Sequence, residues 1–227
     1  MDFLNGLRFP YPVEQWPIVA IVIAIAFTVH EFAHAYAAYK FGDPTAYRQG
    51  RVTLNPMAHL DVFGTILIFL AGFGWAKPVP VNRFHFRHPR LMGIVTTAVG
   101  PLSNLLIALI GLILLVVVNQ LGLGAASQGV QYAVILFFDI LIRLNIVLFV
   151  FNLIPLPPLD GYRIIEDLLP NHLRAKLSQY EHWAIFAFLL MVFIPPIRRF
   201  TLEPIFGLTV DIYHILVRIV QFLFGYL

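Results

Sequence analysis

The sequence of 227 residues contains no cysteine, so disulfides and cysteine-ligated metal sites are excluded. Charge is also scarce, because only 12% of the residues are charged, about half the fraction that is typical of soluble domains. A net charge of only +3 argues against a nucleic-acid partner. We find no low-complexity tract, soluble linker or internal repeat, and therefore treat residues 1–227 as one domain.

Long apolar runs take up most of the chain. Hydrophobic residues make up 59% of the sequence and the mean hydropathy is +0.82. An apolar helix of about 20 residues spans a bilayer, so we predict an all-α polytopic membrane protein with about five to six transmembrane helices. The predicted crossings are residues 16–40, 91–120, 130–153, 182–197 and 204–227; residues 16–165 form the core and residues 181–227 contribute C-terminal helices.

Residues 62–75 are apolar but too short to cross a bilayer. Because Lys and Arg concentrate in cytoplasmic loops, and both flanks of this run are basic, we predict that it re-enters the membrane on the cytoplasmic side. Residues 51–54 and 77–81 look strand-like and predict a small membrane-associated β element. Arg198 and Arg199 would then lie outside, unless the last two runs form a membrane-embedded hairpin, and the sequence leaves both arrangements open.

The first crossing contains His30, Glu31 and His34, which form the pattern H-E-x-x-H. On a helix, residues four apart project from one face, so both imidazoles can bind one zinc ion. The adjacent glutamate can act as general base toward a metal-bound water. The alternative is a buried polar cluster without metal, although ionisable side chains inside a membrane are costly and usually functional.

A catalytic zinc ion normally takes three protein ligands, so a third ligand is needed. Asp160 is the best placed of the candidates, because prolines break the helix before it and can hold its extended end inside the protein. A turn residue ahead of Gly161 is the competing interpretation. The acidic and histidine candidates on the Lys40 side of the membrane are Asp43, His59, Asp61, Asp160, Glu166 and Asp167.

Three separated motifs, HEFAH, GPLSN and NLIPLPPLDG, resemble the site-2 protease family of intramembrane zinc metalloproteases. The segments GDPTA, GRVTLNP and GWAKPVPV resemble its small, prokaryotic-type branch, and the likeness covers residues 16–165. The resemblance implies one zinc ion bound by His30, His34 and Asp160, with Glu31 activating water. It also associates Asn152 with substrate binding and places Asn104 in the family's GPxxN motif.

The resemblance further implies a membrane-anchored protein or peptide substrate, a location in the cell membrane and an active site toward the cytoplasmic side. We expect Asn55, Asn104 and Asn152 to bind substrate through their amides. Asn55 has a turn as its simpler interpretation, and Asn104 and Asn152 have interhelical hydrogen bonds. Relatives with PDZ or CBS domains carry insertions that this sequence does not contain, and the sequence does not indicate an oligomeric state.

Two other functions compete with proteolysis. A transporter could use the buried His, Glu and Asp side chains as a proton or metal relay, but such proteins often contain inverted repeats, and we find none. An inactive relative could serve as a binding module, against which the intact HExxH and LDG motifs argue. Asp139 and Arg143 lie four residues apart in the third crossing and predict a neutralising ion pair.

Overall fold

The computed structural model describes residues 11–122 and 126–225, and within them the secondary structure is helical. Three parts of the predicted domain lie outside the described residues. They are the two ends, 1–10 and 226–227, and residues 123–125 between the second and third predicted crossings. The helices are α1 (Trp16–Lys40), α2 (Thr45–Arg48), α3 (Val62–Ala71), α4 (Pro89–Gln120), α5 (Gln128–Asn152), α6 (Asp160–Leu168), α7 (Asn171–Gln179), α8 (Glu181–Phe193) and α9 (Pro195–Leu223).

Four helices of the described chain, α1, α4, α5 and α9, are long and apolar enough to cross a membrane. The predicted count of five to six crossings is therefore not confirmed. Helix α8 has 13 residues and a length of about 20 Å, which is short of the hydrocarbon core of a bilayer. Helix α3 has 10 residues and is shorter still, so the statement that 62–75 does not cross agrees with its length, while re-entry stays a prediction.

Helix α9 begins at Pro195, nine residues before the predicted start of the last crossing at residue 204. The helix continues through Pro204, whereas Pro195 and Pro196 occupy its first turn, where a missing N–H costs nothing. Arg198 and Arg199 consequently lie in the beginning of α9 and not in a loop between two crossings.

The packing of α9 gives its direction. Leu202 packs near Ile154, just beyond the end of α5, whereas Leu216 packs against Ala108 and Ile142 in the middle of α4 and α5. Helices α8 and α9 therefore form a hairpin at the end of the bundle where α5 ends. Of the fifteen Lys and Arg residues, seven lie within 40–90 and five within 163–199, so twelve belong to this end.

The predicted β element is absent from the described residues. Within 11–122 and 126–225, the only strand-type pairing is an isolated antiparallel bridge between Leu60 and Ala76. Pro78 and Pro80 cannot donate to a ladder, and residues 45–48, just before the predicted strand, form the short helix α2. The segment 77–81 has no assigned secondary structure and forms no strand.

Helices α1, α4 and α5 pack side by side and carry most of the core. Val19, Val22 and Ile23 of α1 pack against Ile140 and Leu141 of α5. The turn after α3 is also packed inside the protein, because Phe73 contacts three other phenylalanine rings at centroid distances of 5.9–6.3 Å. The predicted ion pair forms within α5, with Arg143 Nε 2.6 Å from Asp139 Oδ1.

Candidate metal centre and active site

Three side chains from two distant parts of the chain converge at one point. His30 and His34 lie on one face of α1, and Asp160 is the first residue of α6. The two Nε2 atoms are 3.0 Å apart, and Asp160 Oδ2 lies 3.2 Å from Nε2 of His30 and 3.3 Å from Nε2 of His34. Both histidines are buried. Among the described residues this is the one group whose geometry could hold a metal ion.

The triangle of donor atoms fits zinc. Tetrahedral zinc with ligand distances of 2.0–2.1 Å separates neighbouring donor atoms by about 3.3 Å, close to the three separations seen here. Asp160 Oδ2 is buried and makes no hydrogen bond, although it faces both imidazoles. A buried carboxylate oxygen without a donor is costly, and a cation between the three atoms would satisfy it.

Hydrogen bonds on the far side of each imidazole determine which nitrogen carries the proton. His34 Nδ1 lies 2.7 Å from the backbone oxygen of Thr96, and His30 Nδ1 lies 2.7 Å from Asn104 Oδ1. Both oxygens are acceptors, so each Nδ1 donates a proton and each neutral imidazole presents the lone pair of Nε2. This is the tautomer that a metal ligand requires.

The orientation of Asn104 is determined by a second buried amide. Asn145 Nδ2 donates to the backbone oxygen of Leu141 at 2.8 Å, so Asn145 Oδ1 is left to accept from Asn104 Nδ2, also at 2.8 Å. Asn104 must then turn Oδ1 toward His30. A backbone carbonyl in α5 thus controls the tautomer of His30 through two asparagines that are both fully buried.

Gly100 explains why α4 can come so close to the histidines. A Cβ atom at this position would lie 2.2 Å from Nε2 of His34 and 2.9 Å from Cε1 of His30. Gly100 and Asn104 are four residues apart and face the histidine pair from α4, as the two histidines face α4 from α1. The GPLSN motif therefore supplies one residue for close approach and one for the hydrogen bond.

The third donor is held in place by the turn between α5 and α6. Gly161 follows Asp160 directly, and a Cβ atom there would lie 2.3 Å from the backbone oxygen of Leu153. Only glycine lets the start of α6 lie against the last turn of α5 in this way. The LDG motif therefore provides the donor oxygen and the close backbone contact in adjacent residues.

Glu31 lies beside the metal centre and is buried. Its Oε2 accepts a hydrogen bond from the backbone N–H of Val79 at 3.1 Å, while Oε1 has no hydrogen-bond partner among the described residues. Arg51, which is also buried, donates from Nη2 to the backbone oxygens of Lys77 and Pro78. Arg51 therefore fixes segment 77–79 through the backbone oxygens of Lys77 and Pro78, and the backbone N–H of Val79 fixes Glu31.

A cavity of about 970 Å³ connects these groups. His30, Glu31, His34 and Asp160 all line it. The turn after α3 lines the same cavity through residues 73–76. The remaining wall combines apolar and charged side chains, among them Phe27, Leu148, Phe151, Phe188, Arg83, Arg163, Glu166 and Arg174.

The three asparagines that the sequence suggested have different surroundings. Asn55 is exposed, caps a single-turn 3-10 helix through Met57 N–H and lies outside the cavity wall. Asn104 lines the cavity, but its amide is engaged by His30 and Asn145. Asn152 lines the cavity and donates from Nδ2 to the backbone oxygen of Leu148 at 2.9 Å. Of the three, only Asn152 retains an amide oxygen available to a ligand.

The other candidate ligands have structural partners away from the metal centre. Asp43 is buried and accepts hydrogen bonds from Thr45 and from the backbone N–H of Asn82. Burial raises the pKa of Asp43, but these hydrogen bonds outweigh it and leave the pKa below its ordinary value. His59 bonds the backbone oxygen of Thr53, and Asp61 caps α3; Glu166 and Asp167 are paired with arginines.

Sequence reasoning missed several groups that support the site. Thr96 acts through its backbone oxygen, which no sequence pattern identifies. Asn145 had a recognisable signal, since it is a polar residue in the middle of an apolar helix. Arg51 was assigned to a basic flank and to a strand-like stretch, although its side chain is buried against the segment that holds Glu31.

Comparisons with known proteins agree with this geometry. A model of peptidase family M50 matches residues 18–195. The chain is 54% identical over 197 residues to the Bacillus subtilis protein named "Putative zinc metalloprotease YwhC", covering 86% of this chain and 88% of the relative. It is 28% identical over 207 residues to "Putative zinc metalloprotease Rip2" of Mycolicibacterium smegmatis, covering 86% of this chain and 75% of that protein.

A further relative, "Putative zinc metalloprotease Rip2" of Mycobacterium tuberculosis, is 30% identical over 193 residues, covering 82% of this chain and 71% of the relative. No solved structure matches the chain. The family match spans the first motif, the second motif and the LDG triplet together with the apolar helices that carry them. The chain therefore belongs to peptidase family M50, the site-2 protease family, and is a membrane zinc metalloprotease.

Proposed function

We propose that this metalloprotease hydrolyses peptide bonds in or near the transmembrane segments of membrane-anchored substrates, with His30, His34 and Asp160 as its zinc ligands. The observation that carries the proposal is the triangle of two Nε2 atoms and one carboxylate oxygen with edges of 3.0–3.3 Å. Two of its corners lie on α1, a helix long and apolar enough to cross the membrane.

A zinc ion held by these three side chains would polarise the scissile carbonyl and lower the pKa of water in its open fourth position. The chain's own residues supply the proton transfers. Glu31 accepts the proton of the attacking water at Oε1 and passes it to the nitrogen of the leaving amine. Val79 keeps Glu31 in position, because the backbone N–H of Val79 donates to Glu31 Oε2. This leaves Oε1 free to accept the proton.

The cavity supports a peptide substrate from the membrane. Phe27, Phe73 and Phe188 give it an apolar side that suits the side chains of a transmembrane segment. A helix hides its carbonyls in internal hydrogen bonds, so the substrate must unwind before attack. Unwinding leaves backbone N–H and C=O groups of the substrate without hydrogen bonds. Asn152 Oδ1 and the backbone of segment 77–81 can bond to these groups.

Basic residues support an active site on the cytoplasmic side of the cell membrane. Twelve of the fifteen Lys and Arg residues lie within 40–90 and 163–199, on the end of the bundle that carries Asp160. Lys and Arg accumulate in cytoplasmic loops, so this end faces the cytoplasm. The hairpin of α8 and α9 brings Arg198 and Arg199 to the same side, which removes their conflict with the rule.

The test is cleavage of a helical membrane peptide by purified, zinc-loaded protein in detergent. We expect wild type to cut the peptide and Glu31→Gln to lose at least about a hundredfold in kcat, because general base catalysis contributes about that much or more. Glu14→Gln, the same change at an exposed position, should cut normally. Zinc content is measured for all three proteins. Equal cleavage by wild type and Glu31→Gln at equal zinc content would refute the proposal.

A further inference from the structure

One end of the active-site cavity is lined by three arginines. Arg83 precedes α4, Arg163 is on α6 and Arg174 is on α7, and all three contribute to the cavity wall. Their side chains are 24%, 41% and 34% exposed. The guanidinium groups are therefore accessible from the cavity that contains the metal centre.

Two of the three carboxylates that pair with these arginines, Glu166 and Asp167, lie deeper than the arginines. The side chain of Asp167 is completely buried and that of Glu166 is 6% exposed. Arg83 Nη1 binds Asp167 Oδ1 at 2.6 Å, and Arg163 Nη1 lies 3.2 Å from Glu166 Oε2. Glu166 and Asp167 are thus less exposed than the arginines that they support. The third carboxylate, Glu181, is 25% exposed and lies 2.6 Å from Arg163 Nη2, but it is not among the residues that line the cavity.

Arg174 has the most free hydrogen-bonding capacity of the three. Its nearest carboxylate atoms are Glu166 Oε1 at 3.6 Å and Asp167 Oδ1 at 3.7 Å. Both separations exceed a hydrogen bond, so neither carboxylate satisfies the guanidinium N–H groups directly. A planar fork of donors at a cavity wall is suited to bind a carboxylate in a bidentate manner.

The position of these arginines relates them to the scissile bond. Arg163 follows Asp160 by three residues, which places the two side chains on one face of α6 about one turn apart. Glu166 lies about 9 Å along the helix from Asp160, so the charged end begins roughly one to two turns from the metal centre. An extended peptide covers that distance in about three residues.

We propose that the arginine-lined end of the cavity selects substrates that carry an acidic residue about two to four positions from the scissile bond, on the side that leaves the membrane. The inference rests on the proposed peptide hydrolysis at the metal centre and names the substrate class for it. Arg174 is the principal contact, and Arg163 and Arg83 line the cavity beside it. A peptide with lysines at the same positions is repelled.

Anionic lipid head groups would also bind arginines, but the lining favours a peptide. The three guanidiniums share their cavity with His30, Glu31, His34 and Asp160, so a group bound there lies beside the reacting bond. A lipid bound in the same place would block the peptide chain. Arg90, at the start of α4, is paired with Asn171 outside the cavity wall and provides a matched control.

The experiment compares three peptides with one transmembrane segment and different flanks: two glutamates, two glutamines or two lysines. Cleavage by the zinc-loaded protein in zwitterionic detergent gives kcat and KM for each. We expect the KM of the acidic peptide to be about three- to tenfold below that of the glutamine peptide, because charge-assisted hydrogen bonds are partly screened at an accessible site. The lysine peptide should have the highest KM.

Three variants assign the preference to Arg174. In Arg174→Gln the acidic-to-lysine ratio of kcat/KM should fall to about one, in Arg174→Lys it should largely remain, and in Arg90→Gln it should equal that of wild type. Equal kcat/KM for all peptides in wild type, or a preference that survives unchanged in Arg174→Gln, would overturn the inference.

Two further arms separate this inference from its alternatives. Binding of labelled peptides to Glu31→Gln measures the same preference without cleavage. A preference in binding without any Glu31-dependent cleavage supports the acidic-residue site and refutes the proposed hydrolysis, whereas cleavage without a preference does the reverse. Activity that depends on phosphatidylglycerol over phosphatidylcholine, with no peptide preference, would assign the arginines to lipid head groups and overturn the inference.

Discussion

Asn145 lies two hydrogen bonds away from His30, the proposed metal ligand. Its Oδ1 accepts from Asn104 Nδ2 at 2.8 Å, and Asn104 Oδ1 accepts from His30 Nδ1 at 2.7 Å. Since Asn145 Nδ2 donates to a backbone oxygen, Asn145 Oδ1 must be the acceptor, and the donor and acceptor atoms of Asn104 are then fixed as well. Residues from α1, α4 and α5 thereby determine the tautomer of the His30 imidazole. Asn145 does so through Asn104 and without contact with His30.

Loss of the hydrogen bonds that connect Asn145, Asn104 and His30 should weaken zinc binding without removing a ligand. We expect Asn145→Leu to lower the zinc affinity about tenfold and Asn104→Leu up to about a hundredfold, as is usual for groups that orient metal-bound histidines. Asn104→Asp keeps an acceptor for His30 and should retain more affinity than Asn104→Leu. Competition with a chromophoric chelator measures all three. Unchanged zinc affinity in Asn145→Leu would contradict the proposed role of these hydrogen bonds.

Gly100 should tolerate no side chain. In Gly100→Ala the new Cβ would lie 2.2 Å from His34 Nε2, so α4 or the imidazole must move. We expect a loss of about 1–3 kcal/mol in stability and a clear loss of zinc affinity. Gly207→Ala in α9 meets open space and serves as the control, with normal zinc binding. Thermal unfolding in detergent and chelator competition test both variants, and normal zinc binding by Gly100→Ala would contradict the observed packing.

Arg51 should affect catalysis while leaving the metal in place. In Arg51→Met the oxygens of Lys77 and Pro78 lose their donor, and the segment that holds Glu31 through Val79 is released. We expect kcat to fall about tenfold or more, because a lost buried hydrogen bond to a charged group is worth about 1.5–3 kcal/mol. Zinc content should change little, and Arg48→Met, at an exposed position, should behave as wild type. A normal kcat in Arg51→Met would show that segment 77–79 does not depend on this side chain.

Asp43 should contribute stability that disappears in acid. Its pKa lies below the ordinary value in the folded protein, so the contribution is complete above about pH 4 and is lost as the pH falls through the lower folded-state pKa. Asp43→Asn should be less stable than wild type near neutral pH and approach it at low pH. Thermal unfolding from pH 7 to pH 3 measures the difference, and a gap that is independent of pH would contradict the assignment.

The apolar pattern predicted the central helices well because length and hydrophobicity alone decide them. Residues 16–40 form α1 with the predicted bounds, and α4 and α5 begin two residues before the predicted starts. The last helix was misplaced, since Arg198, Arg199 and Pro204 interrupt the apolar run although the helix continues through them. Their location depends on the packing of α9 against α5, which no local pattern contains.

The metal centre was predictable for a different reason. The spacing of His30 and His34 on one helical face follows from helix geometry, while Asp160 was selected from six candidates by the proline-broken helix and by the family motif. The supporting contacts of Thr96, Asn145 and Arg51 were not predictable, because they join residues that are far apart in sequence. Asn104 was expected either to bind substrate or to form interhelical hydrogen bonds; its amide bonds His30 and Asn145, and its contact with substrate stays a prediction.

The proposed metal centre depends most directly on Asp160 as its third ligand. The decisive measurement is the zinc content of purified wild type and Asp160→Ala after dialysis against a weak chelator, with Asp211→Ala as an exposed control. We predict one zinc ion per chain in wild type and in Asp211→Ala, and loss of most of the zinc from Asp160→Ala. Full retention of zinc by Asp160→Ala, with unchanged affinity, would contradict the proposed metal centre.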